Sequence, residues 1–418
     1  MRTMKDSGLS WVGKIPSDWA AHPVYYYFGE RKNKNIFGQE DNLLSLSYGR
    51  VIRKDINTNG GLLPESFNTY NIVEAGDIII RPTDLQNDKK SLRTGLCLER
   101  GIITSAYIAL RPIRRLNSGF FRYLLHAYDI SKVFYNMGNG VRQGLNFSEF
   151  SRLTVFEPPI EIQDKITQYL DTATAEVDKT ISDIQAQIDT LEQYKRSVIT
   201  ETVTKGLNPD AEMKDSGIQW VGQMPLAWDA VPNKYLMYKV KNICPVYNGE
   251  DILSLTTNGV IIRDLNGGGK MPTSFDGYQK VTPGNLLMCL FDIDVTPRCI
   301  GLVKNFGLTS PAYSQFVMRT GAYAPYYYYY YLMVDYTKEL LHMSKNLRHS
   351  LTEDQLGAIK APNPPYEEQV QIAEFLDKEC VEISRVIEDK NKQLATLDEY
   401  KKSLIFEYVT GKKEVPLS

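Results

Sequence analysis

The sequence predicts an α+β protein: two mixed α/β domains joined by two long antiparallel helices that pair as a coiled coil, an internal pseudo-two-fold repeat. Three observations carry this. A tryptophan-bearing block near the start returns 209 residues later, a long heptad-like helix returns at 206, and each helix follows a stretch of short β-rich runs.

The first repeated block is Met4-K-D-S-G-L-S-W-V-G-K-I-P-S-D-Trp19, which reappears as Met213-K-D-S-G-I-Q-W-V-G-Q-M-P-L-A-Trp228. All four tryptophans of the chain lie in these two copies. The second block runs Pro158-Pro159, Gln163, Ile166, Leu170-Asp171 and matches Pro364-Pro365, Gln369, Ile372, Leu376-Asp377. Leu191-E-Q-Y-K-R-S likewise matches Leu397-D-E-Y-K-K-S. The chain is one unit of about 206 residues written twice.

Apolar residues recur in steps of four and three from Ile166 through Leu170, Ala173 and Val177 to Val198, and from Ile372 through Leu376, Cys380 and Ile383 to Leu404. That is the spacing of a coiled-coil seam. Tandem prolines precede each stretch, and Gly206 and Gly411 end them, as helix punctuation requires. About 45 residues at 1.5 Å rise give a rod roughly 65–70 Å long. Neither rod buries its stripe alone, so the two are expected to pair within one chain. The expected domains are 1–157, the helical segment 158–206, 207–363, and the helical segment 364–418.

Composition bounds the function classes. With 43% hydrophobic and 23% charged residues, the chain reads as an ordinary globular protein. The start lacks a signal-peptide pattern and no apolar run reaches a membrane span, so a cytoplasmic protein without membrane contact is expected. Five scattered cysteines, none spaced C-x-x-C, and four isolated histidines suggest no disulfide framework and no metal site.

The net charge of −2 conceals a partition. Residues 1–157 carry +6, each helical segment carries −4, and 207–363 is neutral. A locally basic domain is the footprint of phosphate contact, whereas an acidic rod suits a protein partner. The neutral second domain must draw its affinity from clustering or from a partner.

The globular halves share anchors, such as Leu43-L-S-L-Ser47 with Ile252-L-S-L-Thr256, and diverge between them. A kept scaffold with differing loops is the pattern of one fold carrying two specificities. Arg, Lys, Gln and Asn on such loops can reach purine edges in the major groove, and Lys also serves phosphates. The candidate DNA-binding residues in the first half are Tyr48 and Arg50, then Arg81, Gln86, Asn87, Lys89, Lys90 and Arg93 on one loop, and Arg142, Gln143 and Asn146 on another. In the second half they are Thr257, Asn258, Arg263, Arg298, Asn346, Arg348 and His349.

Three tempting signals read as structure. The six tyrosines Tyr326–Tyr331 align with Phe120-F-R-Y-L-Leu125, an amphipathic helix, so packing is expected ahead of base stacking. Asn363-Pro-Pro-Tyr366 matches the catalytic tetrapeptide of adenine-N6 methyltransferases, but its counterpart Glu157-Pro-Pro-Ile160 lacks the Asn and the aromatic, and no cofactor loop accompanies it. The carboxylates of Pro82-x-Asp84 and Asp88-Lys89-Lys90 are crowded into one charged loop, unlike a nuclease pattern. No catalytic residue and no cofactor are expected in this chain.

The tryptophan motifs, the M-K-D-S-G lead-ins, Lys205-G-L-N-P-D-A-Glu212 and the P-P-x-x-x-Q helix starts together resemble the specificity subunits of Type I restriction–modification systems. The resemblance covers essentially the whole chain. It implies two target-recognition domains, each reading one half of a bipartite asymmetric double-stranded DNA site, on a rod that sets the spacer. It also implies docking of two methyltransferase subunits, which bring S-adenosylmethionine, and of motor–nuclease subunits. Thr174-A-E-Val177 resembles the short unit by which that family adjusts its spacer. The alternatives from other classes are a scaffold or RNA-binding adaptor on a coiled coil, and a stand-alone methyltransferase.

Overall fold

The computed structural model describes residues 2–56, 64, 66–85, 92–135, 137, 144–267, 272–344 and 349–416. They form two compact units, Met1–Ile184 with Lys392–Ser418, and Gln185–Asn391. The helices span Ile160–Lys205 and Tyr366–Val409, so each unit holds the start of one helix and the end of the other. The reason lies in the cores. In the first unit Ile166 and Leu170 pack with Leu404, Ile405, Tyr408 and Val409. In the second, Ile372 and Leu376 pack with Ile199 and Val203. The helix pairing is antiparallel within each unit. The Tyr169 and Tyr408 rings meet at a tilt, centroids 4.6 Å apart, and Asp178 meets Lys401 in the first, while Lys195 Nζ donates to Ser384 Oγ at 2.7 Å in the second.

The strand pairing is the same in both units. A four-stranded antiparallel sheet runs Phe28–Glu30, Ile108–Pro112, Ile78–Ile80, Thr94–Leu96 in the first and Met237–Val240, Ser314–Met318, Leu286–Met288, Ile300–Leu302 in the second. A hairpin stands beside each sheet, Leu44–Ser47 with Arg50–Arg53 and Leu253–Thr256 with Gly259–Ile262. Ile78–Ile80 and Leu286–Met288 are buried throughout, as continuous apolar runs covered on two faces should be.

The repeated sequence motifs have structural explanations. Gln163 Nε2 donates to Pro158 O at 2.9 Å, and its Oε1 accepts from Asn117 N at 2.9 Å. Gln369 does the same with Pro364 O and Tyr323 N, so each glutamine ties a long-helix start to the start of a domain helix. Trp19 and Trp228 lie against Gly411 and Gly206, which end the long helices with φ of 68° and 77°. A Cβ on either glycine would come within 3.0 or 3.1 Å of the indole, so glycine is needed for both the turn and the approach.

The tyrosine run is helical and packed, as its alignment predicted. In helix Ala324–Tyr336, Tyr326, Tyr327 and Tyr329–Tyr331 are buried. Tyr327 OH donates to Asn363 Oδ1 at 2.8 Å, which gives the asparagine of the N-P-P-Y tetrapeptide a structural partner at the end of a strand. Burial holds these phenols well above the usual tyrosine range.

Candidate nucleic-acid interface

Three segments that the sequence singled out separately converge in each unit. The first is the hairpin turn. Tyr48 and Gly49 have φ of 45° and 76°, the two left-handed residues of a type I′ turn. In the second unit Thr257-Asn258 is followed by Gly259 at φ 95°, a turn with a glycine bulge. The same hairpin thus presents two different tips. Tyr48 is 87% exposed, and Thr257 and Asn258 are exposed.

The second segment is the loop after the buried central strand. A Cβ on Gly49 would meet Leu92 at 3.2 Å, so this loop's return packs against the turn. In the second unit the Arg298 guanidinium lies beside the turn, within 3.8 Å of a Cβ on Gly259. The third segment is bound to the second. Leu145 N donates to Pro82 O at 3.0 Å, and Leu351 N donates to Leu290 O at 2.9 Å. Ile293 N donates to His349 O, and the His349 ring lies 3.5 Å from Ser344 Oγ and 3.9 Å from Asp294 Oδ2.

Both loops are anchored by an aspartate that sequence reasoning missed. Asp129 Oδ2 accepts from Arg93 N at 2.5 Å, and Asp335 Oδ2 accepts from Cys299 N at 2.8 Å. Burial raises the Asp129 carboxyl while the Arg93 amide and Tyr135 hydroxyl oppose it. The two aspartates are 206 residues apart, a coincidence visible in the repeat.

One candidate is corrected by the structure, and the surroundings of others are described. Arg93 is wholly buried. Its Nε donates to Tyr135 OH at 2.9 Å, Nη2 to Asp84 O at 2.9 Å, and Nη1 to Thr83 O. It is an internal strut, since a buried guanidinium with its donors engaged cannot reach DNA. Asn146 caps the helix Phe147–Phe150, its Oδ1 accepting from Glu149 N at 3.0 Å and its own N–H donating to Glu149 Oε2. Arg263 pairs its backbone N–H with Ile252 O, at the end of the hairpin away from the turn. Arg81 is half-buried, its backbone N–H paired with Arg93 O. Arg50 reaches Asp178 Oδ2 on the first long helix at 2.6 Å. Gln86, Asn87, Lys89, Lys90, Arg142, Gln143, Asn346 and Arg348 lie outside the described residues.

Tyr48, Arg50, Arg81, Asn146, Thr257, Asn258, Arg263, Arg298 and His349 are thus the candidates that are described and reach the surface, and Arg93 is the one sealed from it. No group of three or more His, Cys, Asp or Glu side chains suited to a metal occurs among the described residues. No helix among them is long and apolar enough to cross a membrane.

Comparison with known proteins bears on this arrangement. No protein-family model matches the chain. The MjaVIII type I restriction enzyme specificity subunit of Methanocaldococcus jannaschii is 24% identical over 343 residues, 76% of this chain and 75% of that protein. A second protein of that organism, provisionally named the MjaX specificity subunit, is 24% identical over 332 residues, 74% of this chain and 71% of its own length. This chain is similar to type I restriction enzyme specificity subunits. The fold agrees as well. A chain solved in work on complex assembly and conformational transition of the type I restriction–modification system superposes with a TM-score of 0.69 at 13% identity. That superposition covers 96% of this chain and 99% of the other. The two-domain, two-helix architecture expected of type I specificity subunits is the one observed here.

Proposed function

We propose that this chain is a non-catalytic DNA specificity subunit that reads a bipartite, asymmetric site, one half-site per unit. The observation that carries this reading is the convergence of three divergent segments on one repeated framework. Two copies of a fold hold the same anchors, Asp129 and Asp335, and present different tips, Tyr48-Gly49 against Thr257-Asn258. Different tips on equal frames are what two unlike half-sites require.

In this reading the long helices carry the spacer and dock two methyltransferase subunits, with S-adenosylmethionine held by those partners, and motor–nuclease subunits join for restriction in the cytoplasm. The acidic charge of the helical segments and the exposed Val381 and Val386 on the second helix suit a protein partner.

The test is methylome sequencing of a host expressing this chain with its cognate methyltransferase, against a host with the methyltransferase alone. A new motif of two short defined blocks around an unspecified spacer is expected. No new motif, with both proteins folded and associated, would refute the reading.

A further inference from the structure

The repeat provides an internal control on its own tryptophans. In the second unit Trp228 Nε1 donates to Glu368 Oε2 at 2.9 Å. In the first unit the matching Trp19 is 1% exposed, and its Nε1 has no acceptor among the described residues. The residue matching Glu368 is Ile162, which cannot accept. A buried N–H left unpaired costs about 1–3 kcal/mol, so such a group calls for an explanation.

The indole borders a cavity of about 240 Å³ framed by Arg2, Ile162, Lys165, Lys413 and Glu414. Three of these side chains are cations. Their counterparts are not: Ala211 stands for Arg2, Gln371 for Lys165, and neither Leu207 nor Asn208 supplies a charge for Lys413. Where the second unit has the carboxylate of Glu368 against the indole, the first unit has three cations and the single carboxylate of Glu414 around the gap. Arg2 binds Asp18 through Nη2 alone, which leaves Nε and Nη1 without partners among the described residues. Lys165 makes no ion pair among them, while Lys413 pairs with Glu407. The cavity also abuts the first turns of a 46-residue helix, where the macrodipole favours an anion.

We propose that this cavity is a binding site for a carboxylate supplied from outside the chain. The carboxylate accepts from Trp19 Nε1, as Glu368 accepts from Trp228, and lies against Arg2 and Lys165. The volume exceeds the roughly 30 Å³ of one water several-fold and fits a group the size of acetate or a glutamate side-chain end.

Indole N–H resonances of the full chain test this, Trp19 being assigned from the Trp19→Phe spectrum. Two probes are titrated at constant ionic strength: acetate, and a capped short peptide with a single glutamate. A saturable shift of Trp19 alone is expected, with Trp11, Trp220 and Trp228 unmoved as reporters of an intact fold. Tighter response to the peptide would assign the carboxylate to a protein partner, and equal response to a small molecule. Ile162→Glu should abolish the response by filling the gap from within, and Lys165→Gln should weaken it several-fold. Equal shifts with chloride, or no saturable shift with either probe, would overturn the proposal. So would a Trp19 shift on Glu414→Gln without added carboxylate, since the chain would then supply its own acceptor.

Discussion

Arg50, on the hairpin of the first unit, and Asp178, on the first long helix, form an ion pair of 2.6 Å, and Asp178 is held in turn by Lys401 of the second helix. The guanidinium side chain is 69% exposed, so the pair contributes at most about 1 kcal/mol and a phosphate can compete for it. The second unit has Gly259 and Ser384 in these places. Arg50→Ala is expected to lower the salt dependence of DNA binding by about one phosphate contact. Asp178→Asn should free the guanidinium and tighten binding. Salt titrations of DNA affinity check both; an unchanged slope for Arg50→Ala would make Arg50 a strut between hairpin and helix.

Arg93 tests the distinction between strut and reader. Its removal strands the carbonyls of Thr83 and Asp84 and the Tyr135 hydroxyl in a buried site. Arg93→Ala should cost about 3–5 kcal/mol of stability. Denaturant unfolding reads this directly, and a loss under 1 kcal/mol would contradict the assignment.

Tyr48 separates stability from binding. A tyrosine at φ 45° is strained where Asn or Gly is at ease. Tyr48→Asn should therefore raise stability by roughly 0.5–1 kcal/mol while weakening the first half-site and sparing the second. Thermal unfolding and binding to DNA with either half-site scrambled report the two effects separately. Unchanged binding would remove Tyr48 from the interface.

His126, on the domain helix Ser118–Ile130, is held down to about 4 by burial, with Arg122, Lys401 and Lys132 adding to the effect and Asp398 opposing it. In the unfolded chain imidazole titrates near 6.5. Its contribution to stability is thus full above pH 6.5 and is lost as pH falls toward 4, because the unfolded chain takes the proton first. Wild type should lose about 1–2 kcal/mol between pH 7.5 and 5 through this group. Asp77 and Asp129, raised by burial, act in the opposite sense. His126→Gln should flatten the histidine component, and denaturant midpoints at the two pH values measure it; an equal loss in the variant would exclude His126 as its source.

The repeat, both long helices, their antiparallel pairing and the structural use of the tyrosine run were legible in the sequence. Each rests on local periodicity or on a second copy in register, and neither needs a tertiary contact to be read. One capping signal was present and passed over: Asn146-Phe-Ser-Glu149 has the spacing of a capping box, and Thr352 with Gln355 repeats it. Which polar side chains face outward depends on how the segments fold together. Arg93 and Arg298 look alike as loop arginines, yet one is sealed by Tyr135 and three carbonyls and the other lies beside a hairpin turn. Burial depends on what distant segments bring to a residue, and local spacing does not encode it. The same holds for Trp19, whose missing acceptor appears only when the start of one helix, the end of the other and the N-terminal hairpin are brought together.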